Sequence, residues 1–390
     1  MAVVSVLPAR KADAGSWSTA PRVGVSGEYA SNPLLREFDG RQEEHLAALL
    51  DLPVSYNGDA VEFLFKPDGR ISNSRGYSSL ASNYLHLDSD LQVTSDLGVT
   101  TLQAGVARDS TLYALGGFVQ GVGVRRDTES AGVDWQRALT ERTQMDLSAN
   151  WTHLTYAQAP GQNYFTDYRY LSVGPTLSRS LTERDTLKLL GSYGRYESLS
   201  GITGSKSESL QLGYVRQLTE IWALTGSAGY SRSMNTQKFF FGPFYLGSST
   251  SNQNGTVYAV NLVRQAETFS ASAGLSRALQ PTGFAFLSRQ DSVTLNLTYS
   301  PSERWDFGVT GAWQRSLTPE LGSGGGAISG RATTVRYVSA QALASWHLTP
   351  QWTLSIRALR ITDHYGPPAV NSASTGVNLD LSRQFLRTEF

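Results

Sequence analysis

Val377-Asn-Leu-Asp-Leu-Ser-Arg-Gln-Phe-Leu-Arg-Thr-Glu-Phe390 closes the chain and sets its reading. Val377, Leu379 and Leu381 fall on one side of an extended strand, and Asn378, Asp380 and Ser382 fall on the other. Side chains alternate across a strand with a period of two, so this segment has one apolar and one polar face. Phe390 has the opposite parity to the three apolar residues. A bulge or a frayed end is therefore expected before the terminal aromatic.

The same pattern recurs upstream. Val293, Leu295, Leu297 and Tyr299 oppose Ser292, Thr294, Asn296 and Thr298. Phe269, Ala271, Ala273 and Leu275 oppose Ser270, Ser272, Gly274 and Ser276. Trp305, Phe307, Val309 and Trp313 oppose Asp306, Gly308, Thr310 and Gln314, and Met145, Leu147, Ala149 and Trp151 oppose Asp146, Ser148 and Asn150. A soluble two-sheet sandwich has the same local alternation, so composition and connections must decide.

The chain has 390 residues, 40% hydrophobic and 17% charged, with a mean hydropathy of -0.26. Its 33 basic and 33 acidic residues cancel, which argues against a nucleic-acid partner or an acidic tail. Cysteine is absent, so disulfides and thiolate metal sites are excluded, as fits an exported protein. No stretch reaches the roughly 18 apolar residues of a membrane-spanning helix. A closed barrel is the only other way to satisfy every backbone group in lipid.

Two features favour that barrel. Trp151, Trp222, Trp305, Trp313, Trp346 and Trp352 sit at the ends of the apolar stripes, where aromatic girdles meet the membrane interfaces. Short and long connections also alternate. Leu139-Thr-Glu-Arg142, Leu181-Thr-Glu-Arg184, Leu218-Thr-Glu220, Pro301-Ser-Glu-Arg304 and Leu348-Thr-Pro350 each join two alternating strands, and further tight turns fit at 57–59, 95–96 and 265–267. Long connections are expected at 31–41, 72–80, 109–127, 157–165, 197–206, 235–253, 279–290, 317–332 and 364–374. The expected fold is all-β, a transmembrane antiparallel up-and-down β-barrel of about 18 strands, or 16 if the register invents a hairpin. Residues 20–390 form this barrel as one domain. Residues 1–19 are expected as a periplasmic leader: either the remnant of a signal peptide, with Ala12-Asp-Ala14 in the small-x-small cleavage form, or a disordered segment.

Gly24-Val-Ser-Gly-Glu-Tyr-Ala-Ser-Asn-Pro33, Arg108-Asp-Ser-Thr-Leu112, Arg125-Arg-Asp127 and Trp135-Gln-Arg-Ala-Leu-Thr-Glu-Arg142 follow in that order. They resemble outer-membrane barrels of the β-barrel porin 2 type, which accompany exopolysaccharide and exosortase systems. The likeness is best in the first half of the chain. It implies the bacterial outer membrane, solute passage and a link to polysaccharide export, with polysaccharide or export-complex proteins as partners beside the membrane lipid. The closing segment also resembles the signal that barrel-assembly machinery reads, with Phe390 as its last residue. The resemblance carries over no catalytic residue.

Candidate chemistry lies on the expected lumen face: Asp134, Gln136, Asp146, Asn150, Gln211, Asn296, Asp306, Gln314 and Arg357, with Asn378 and Asp380. These groups suit water and hydroxylated solutes, whereas a strongly ion-selective pore has rings of one charge. Taken singly, each is what any wet interior looks like. Phe239, Phe240, Phe241, Phe244 and Tyr245 concentrate in one expected loop. The alternatives there are a fold-in constriction, a surface that stacks on sugar rings, or a loop packed on its neighbours or dipped into the outer leaflet. The apolar, Gly-rich segment 112–124 either extends two strands or plugs the lumen. The five histidines, His45, His86, His153, His347 and His364, lack metal-ligand spacing, and no Gly-x-Ser-x-Gly elbow occurs. No metal, no cofactor and no enzymatic activity are expected. A loop-plugged structural or receptor barrel and a barrel hydrolase are the alternatives to a channel.

Overall fold

The computed structural model describes residues 15–32, 35, 42–75, 83–110, 124–157, 165–241, 243–281, 287–317, 334–365 and 370–390. In chain order the first strands are β1 (Ser16–Thr19), β2 (Arg22–Ser31), β3 (Gln42–Asp51), β4 (Val54–Asn57), β5 (Val61–Arg75), β6 (Tyr84–Ser95) and β7 (Gly98–Ser110). Then come β8 (Arg125–Thr140), β9 (Thr143–Ala157), β10 (Tyr168–Ser180), β11 (Asp185–Ser198), β12 (Thr203–Gln217), β13 (Trp222–Phe241) and β14 (Phe244–Gln265). The last are β15 (Phe269–Pro281), β16 (Leu287–Ser302), β17 (Trp305–Leu317), β18 (Thr334–His347), β19 (Trp352–Tyr365), β20 (Val370–Gln384) and β21 (Thr388–Glu389).

β2, β3 and β5 to β20 pair in sequence, and β20 returns to β2 through Arg22↔Gln384 to Ser31↔Thr375. This is a closed antiparallel barrel of 18 strands, as the larger of the two expected counts. Closure removes the open edges that lipid cannot satisfy.

Short strands extend the base. Pro21 and Pro53 have no N–H for the ladder, and they interrupt the first two strands between β1 and β2 and between β3 and β4. β1 pairs with β4 and with β21. Ser16–Thr19 lies within the segment expected as leader, and residues 1–14 lie outside the described residues. β20 breaks at 385–387, where the parity change requires an irregularity. Beyond the break, Phe390 N–H donates to the Trp17 carbonyl at 3.1 Å, and the Phe390 carbonyl accepts from Trp17 N–H at 3.3 Å.

Burial is inverted relative to a soluble protein. On β3, Glu43 and His45 are 3% and 9% exposed, while Leu46, the next residue and on the opposite face, is 63% exposed. The concave face crowds its polar side chains together, and the convex face presents Leu, Val and Ile outward. Aromatics flank that apolar band: Trp222, Trp305, Trp346 and Trp352 near the short turns, Trp151 and Trp313 nearer the other end. The Trp305 and Trp346 rings stack at 5.5 Å, and Arg264 and Arg383 lie over Trp222 and Trp352 at 5.7 and 5.6 Å.

Several connections differ from expectation. The loop at 197–206 is a four-residue turn, 199–202. The loop at 235–253 is two long strands, β13 and β14, paired out to Phe241↔Phe244. Strands also consume most of 279–290 and 364–374. Extending the ladder satisfies backbone groups above the membrane without separate loop structure.

Candidate functional site: the lumen

Cross-strand register places the expected lumen residues on one face. Thr101, Asp134 and Ser148 are successive partners, as are Val99, Gln136 and Asp146, and Gln103, Gly132, Asn150 and Ser172. Gln211 faces Leu190 and Gly229, Asn296 faces Ser272 and Thr310, and Gln314 faces Ser292 and Tyr337. Asp306 faces Ser345, and Arg357 faces Leu343 and Asn378.

Hydrogen bonds knit this face. Gln144 Nε2 donates to Asp146 at 2.6 Å, Ser227 Oγ to Gln211 Oε1 at 3.0 Å, and Asn296 Nδ2 to Ser272 Oγ at 3.2 Å. Asp306 accepts from Ser300 Oγ at 2.5 Å and lies 2.7 Å from His347 Nε2. Hydroxyl pairs bridge neighbouring strands at Ser192–Ser209, 2.6 Å, and Ser276–Ser292, 2.7 Å. His86 approaches Asp68 and Asp109, His45 approaches Glu43, and His153, on the outer face, approaches Glu129.

The wall has two chemical arcs. From β10 to β16 the described lumen face is built of Ser, Thr, Gly, Asn, Gln, Tyr and small apolar residues, with Lys188 its one charge. The other arc is charged. Lys66, Asp68, Asp88, Asp90, Asp109, Arg126, Asp134 and Asp146 stand on β5 to β9. Arg126 forms a bidentate pair with Asp109 at 2.8 and 2.7 Å, and Tyr84 stacks on His86 at 4.8 Å. Sequence reading passed over most of this arc, because Pro67 and Gly69 blur the alternation of β5. Extending strict parity from Glu62 through Arg70 finds it.

The lumen also differs along its axis. Near the short turns, Asp134, Gln136, Asn150, Asn296 and Arg357 are exposed. Towards the loops, Asp109, Tyr196, Ser205, Ser233 and Asn235 are buried. Leu287, from β16, shares one buried cluster there with Leu154, Tyr168 and Tyr196, from β9 to β11. Four strands separate β11 from β16 on the shorter way round the wall, so this cluster draws two walls together and narrows the lumen. Its backbone permits this: β14 and β15 part beyond Tyr258↔Arg277, while β15 and β16 stay paired to Pro281↔Leu287.

Phe239, Phe240, Phe241, Phe244 and Tyr245 lie on the extended β13–β14 hairpin rather than in a loop. They stand beyond the last β12 contact, Thr203↔Gln237, with the Phe240 and Tyr245 rings 5.6 Å apart. Segment 112–124 lies, except for Val124, outside the described residues.

A closed 18-strand ring with an apolar exterior and a polar interior defines an outer-membrane β-barrel, and the protein resides in the bacterial outer membrane. The fold is similar to that of the ferric citrate transporter FecA in its unliganded form, at 8% identity over 94% of this chain and 78% of that chain, with a TM-score of 0.51. It is also similar to the FrpB iron transporter from Neisseria meningitidis, at 11% identity over 91% of this chain and 63% of that one, with a TM-score of 0.50. OpdK from Pseudomonas aeruginosa with vanillate aligns at 11% identity over 95% of this chain and 99% of its own, with a TM-score of 0.48. No protein-family model matches the sequence, and no curated protein matches it.

Proposed function

We propose that the protein is a channel for hydrophilic solutes, with saccharides as its preferred class. The observation that carries this reading is the nearly charge-free arc of hydroxyl and amide groups from β10 to β16. Such groups exchange hydrogen bonds with a polyhydroxylated solute as readily as with water, without an ion's desolvation cost. The charged arc opposite carries both signs, unlike a single-sign filter. The resemblance of the first half to exopolysaccharide-associated barrels of the β-barrel porin 2 type points the same way. Conductance of the refolded protein in a planar bilayer tests the proposal. Steady openings that fall when a neutral oligosaccharide is added are expected, and openings indifferent to oligosaccharide would remove the saccharide assignment.

One observation favours a second reading. The loop-side narrowing at Leu287 and Tyr196 suits a closed structural or receptor barrel in an export complex. A folded protein that stays silent in the bilayer would select that reading.

A further inference from the structure

On the lumen face of β6 to β9 the wall is hollowed. A recess of about 410 Å³ is bordered by Asp88, Asp90, Gln103, Ser130 and Asn150, with Lys66 at its β5 edge. Two glycines make its floor. Asp88, Gly105 and Ser130 are successive cross-strand partners, as are Asp90, Gln103, Gly132 and Asn150. A Cβ at Gly105 would lie 2.7 Å from Asp88 Oδ1 and 2.9 Å from Ser130 Oγ. One at Gly132 would lie 2.8 Å from Asn150 Oδ1 and 3.4 Å from Gln103 Oε1. Oxygens from four strands thus lean in over bare backbone.

Most of these oxygens are open acceptors. Ser130 Oγ donates to the Gly105 carbonyl at 3.5 Å, which leaves its own lone pairs free. Among the described residues, the side chains of Asp88, Asp90, Gln103 and Asn150 have no hydrogen-bond or ion-pair partner. From the recess to the short turns, the lumen face of β5 to β9 carries the carboxylates of Glu62, Asp88, Asp90, Asp134 and Asp146 against the ammonium of Lys66. Such a surplus of one sign in a cleft draws in solutes of the other sign.

The shape decides which cation fits. Carboxylates take a positive group, and amide and hydroxyl oxygens take hydroxyl donors. Asp88 and Asn150 stand three strand spacings apart, about 14 Å at roughly 4.8 Å each. The ligands of one metal ion all lie within about 2.6 Å of it, so this set does not converge on an ion. A simple amine would leave the amides unused. A sugar ring that carries both an ammonium and hydroxyls uses both kinds of group.

We infer that this recess binds an amino sugar, its ammonium against Asp88 and Asp90 and its hydroxyls on Gln103, Ser130 and Asn150. The inference rests on the saccharide reading above and narrows its class to saccharides with free amines.

The test is isothermal titration calorimetry on the refolded full chain in neutral detergent, which needs no open channel. The probes are a glucosamine tetramer with its amines protonated, the N-acetylglucosamine tetramer, and spermidine. The wild type is expected to bind the glucosamine tetramer at least about tenfold more tightly than the acetylated one, the lower end for hydrogen bonds to charged groups. D88N/D90N keeps the size of both side chains and removes their charge, and that ratio is expected to fall to about one. Circular dichroism and heat-modifiable migration establish that the variant folds. Should it fail to fold, D90N alone is expected to lower the ratio about threefold, half of the same free energy. Binding of both tetramers without preference, a preference that survives in the folded variant, or spermidine bound as tightly as the glucosamine tetramer would overturn the assignment and leave the saccharide reading standing. Binding of neither tetramer would remove both.

Discussion

Arg70 Nη2 donates to Glu28 Oε2 at 2.7 Å across an intervening strand. Glu28 is on β2 and Arg70 on β5, and both pair with β3 rather than with each other. Only the concave side of a curved sheet brings next-but-one strands close enough for such a bond. The pair therefore ties β2, the strand on which the ring closes, to β5 across β3. Arg70→Met should destabilise the barrel by about 2 kcal/mol, the range of a hydrogen bond to a charged group. Glu28→Gln added to it should recover part of that loss, because the stranded carboxylate is then gone. Denaturant unfolding of the refolded barrel in vesicles, followed by tryptophan fluorescence, reads both.

The two faces of β16 give a sharper test of register. Leu295 points outward and Asn296 inward. Leu295→Arg sets a charge in lipid and should cost roughly 2–4 kcal/mol near the midplane. Asn296→Arg should leave unfolding unchanged and shift ion preference towards anions. Equal costs at the two positions would contradict the register.

Leu287 and Tyr196 should limit conductance. Leu287→Ala shortens the side chain that bridges from β16 to the opposite wall. Larger single-channel conductance is expected, with strand content by circular dichroism unchanged. Unaltered conductance would place the narrowest point elsewhere.

Gly229 is fixed by close approach of main chains. A Cβ there would lie 2.0 Å from the Leu210 carbonyl oxygen and 2.6 Å from Gln211 Cα, contacts that no rotamer relieves. Gly229→Ala should destabilise by about 1–3 kcal/mol. Gly226, on the same strand, has nothing within 4 Å of such a Cβ, and Gly226→Ala should stay within about 0.5 kcal/mol. The difference between the two midpoints is the measurement.

Substitution of Phe390 tests assembly apart from stability. Its backbone bonds to Trp17 survive substitution, and its ring is largely exposed. Phe390→Ala should leave the unfolding midpoint of refolded protein in place. We propose Phe390 as part of an assembly signal; on that proposal the substitution should lower the amount of folded barrel that cells insert, read by heat-modifiable migration. Equal insertion would detach Phe390 from that role.

Alternation along the chain determined much of this protein by itself. Where Val293, Leu295 and Leu297 interleave with Ser292, Thr294 and Asn296, the period of two fixes which side chains share a face, and so the lumen side of Asn296 and the lipid side of Leu295. The absence of any long apolar run then left a closed barrel as the way across lipid. Tertiary structure alone decided what depends on curvature and on contacts between distant strands. Glu28 reaches Arg70, Leu287 joins Tyr196, and Asp88, Gln103 and Asn150 border one recess, only because closure and stagger set residues far apart in sequence side by side. The reach of β13 and β14 was hidden for a related reason. Their outer parts, rich in Ser, Thr and Asn, read as loop, and the hairpin ladder between them makes them strand.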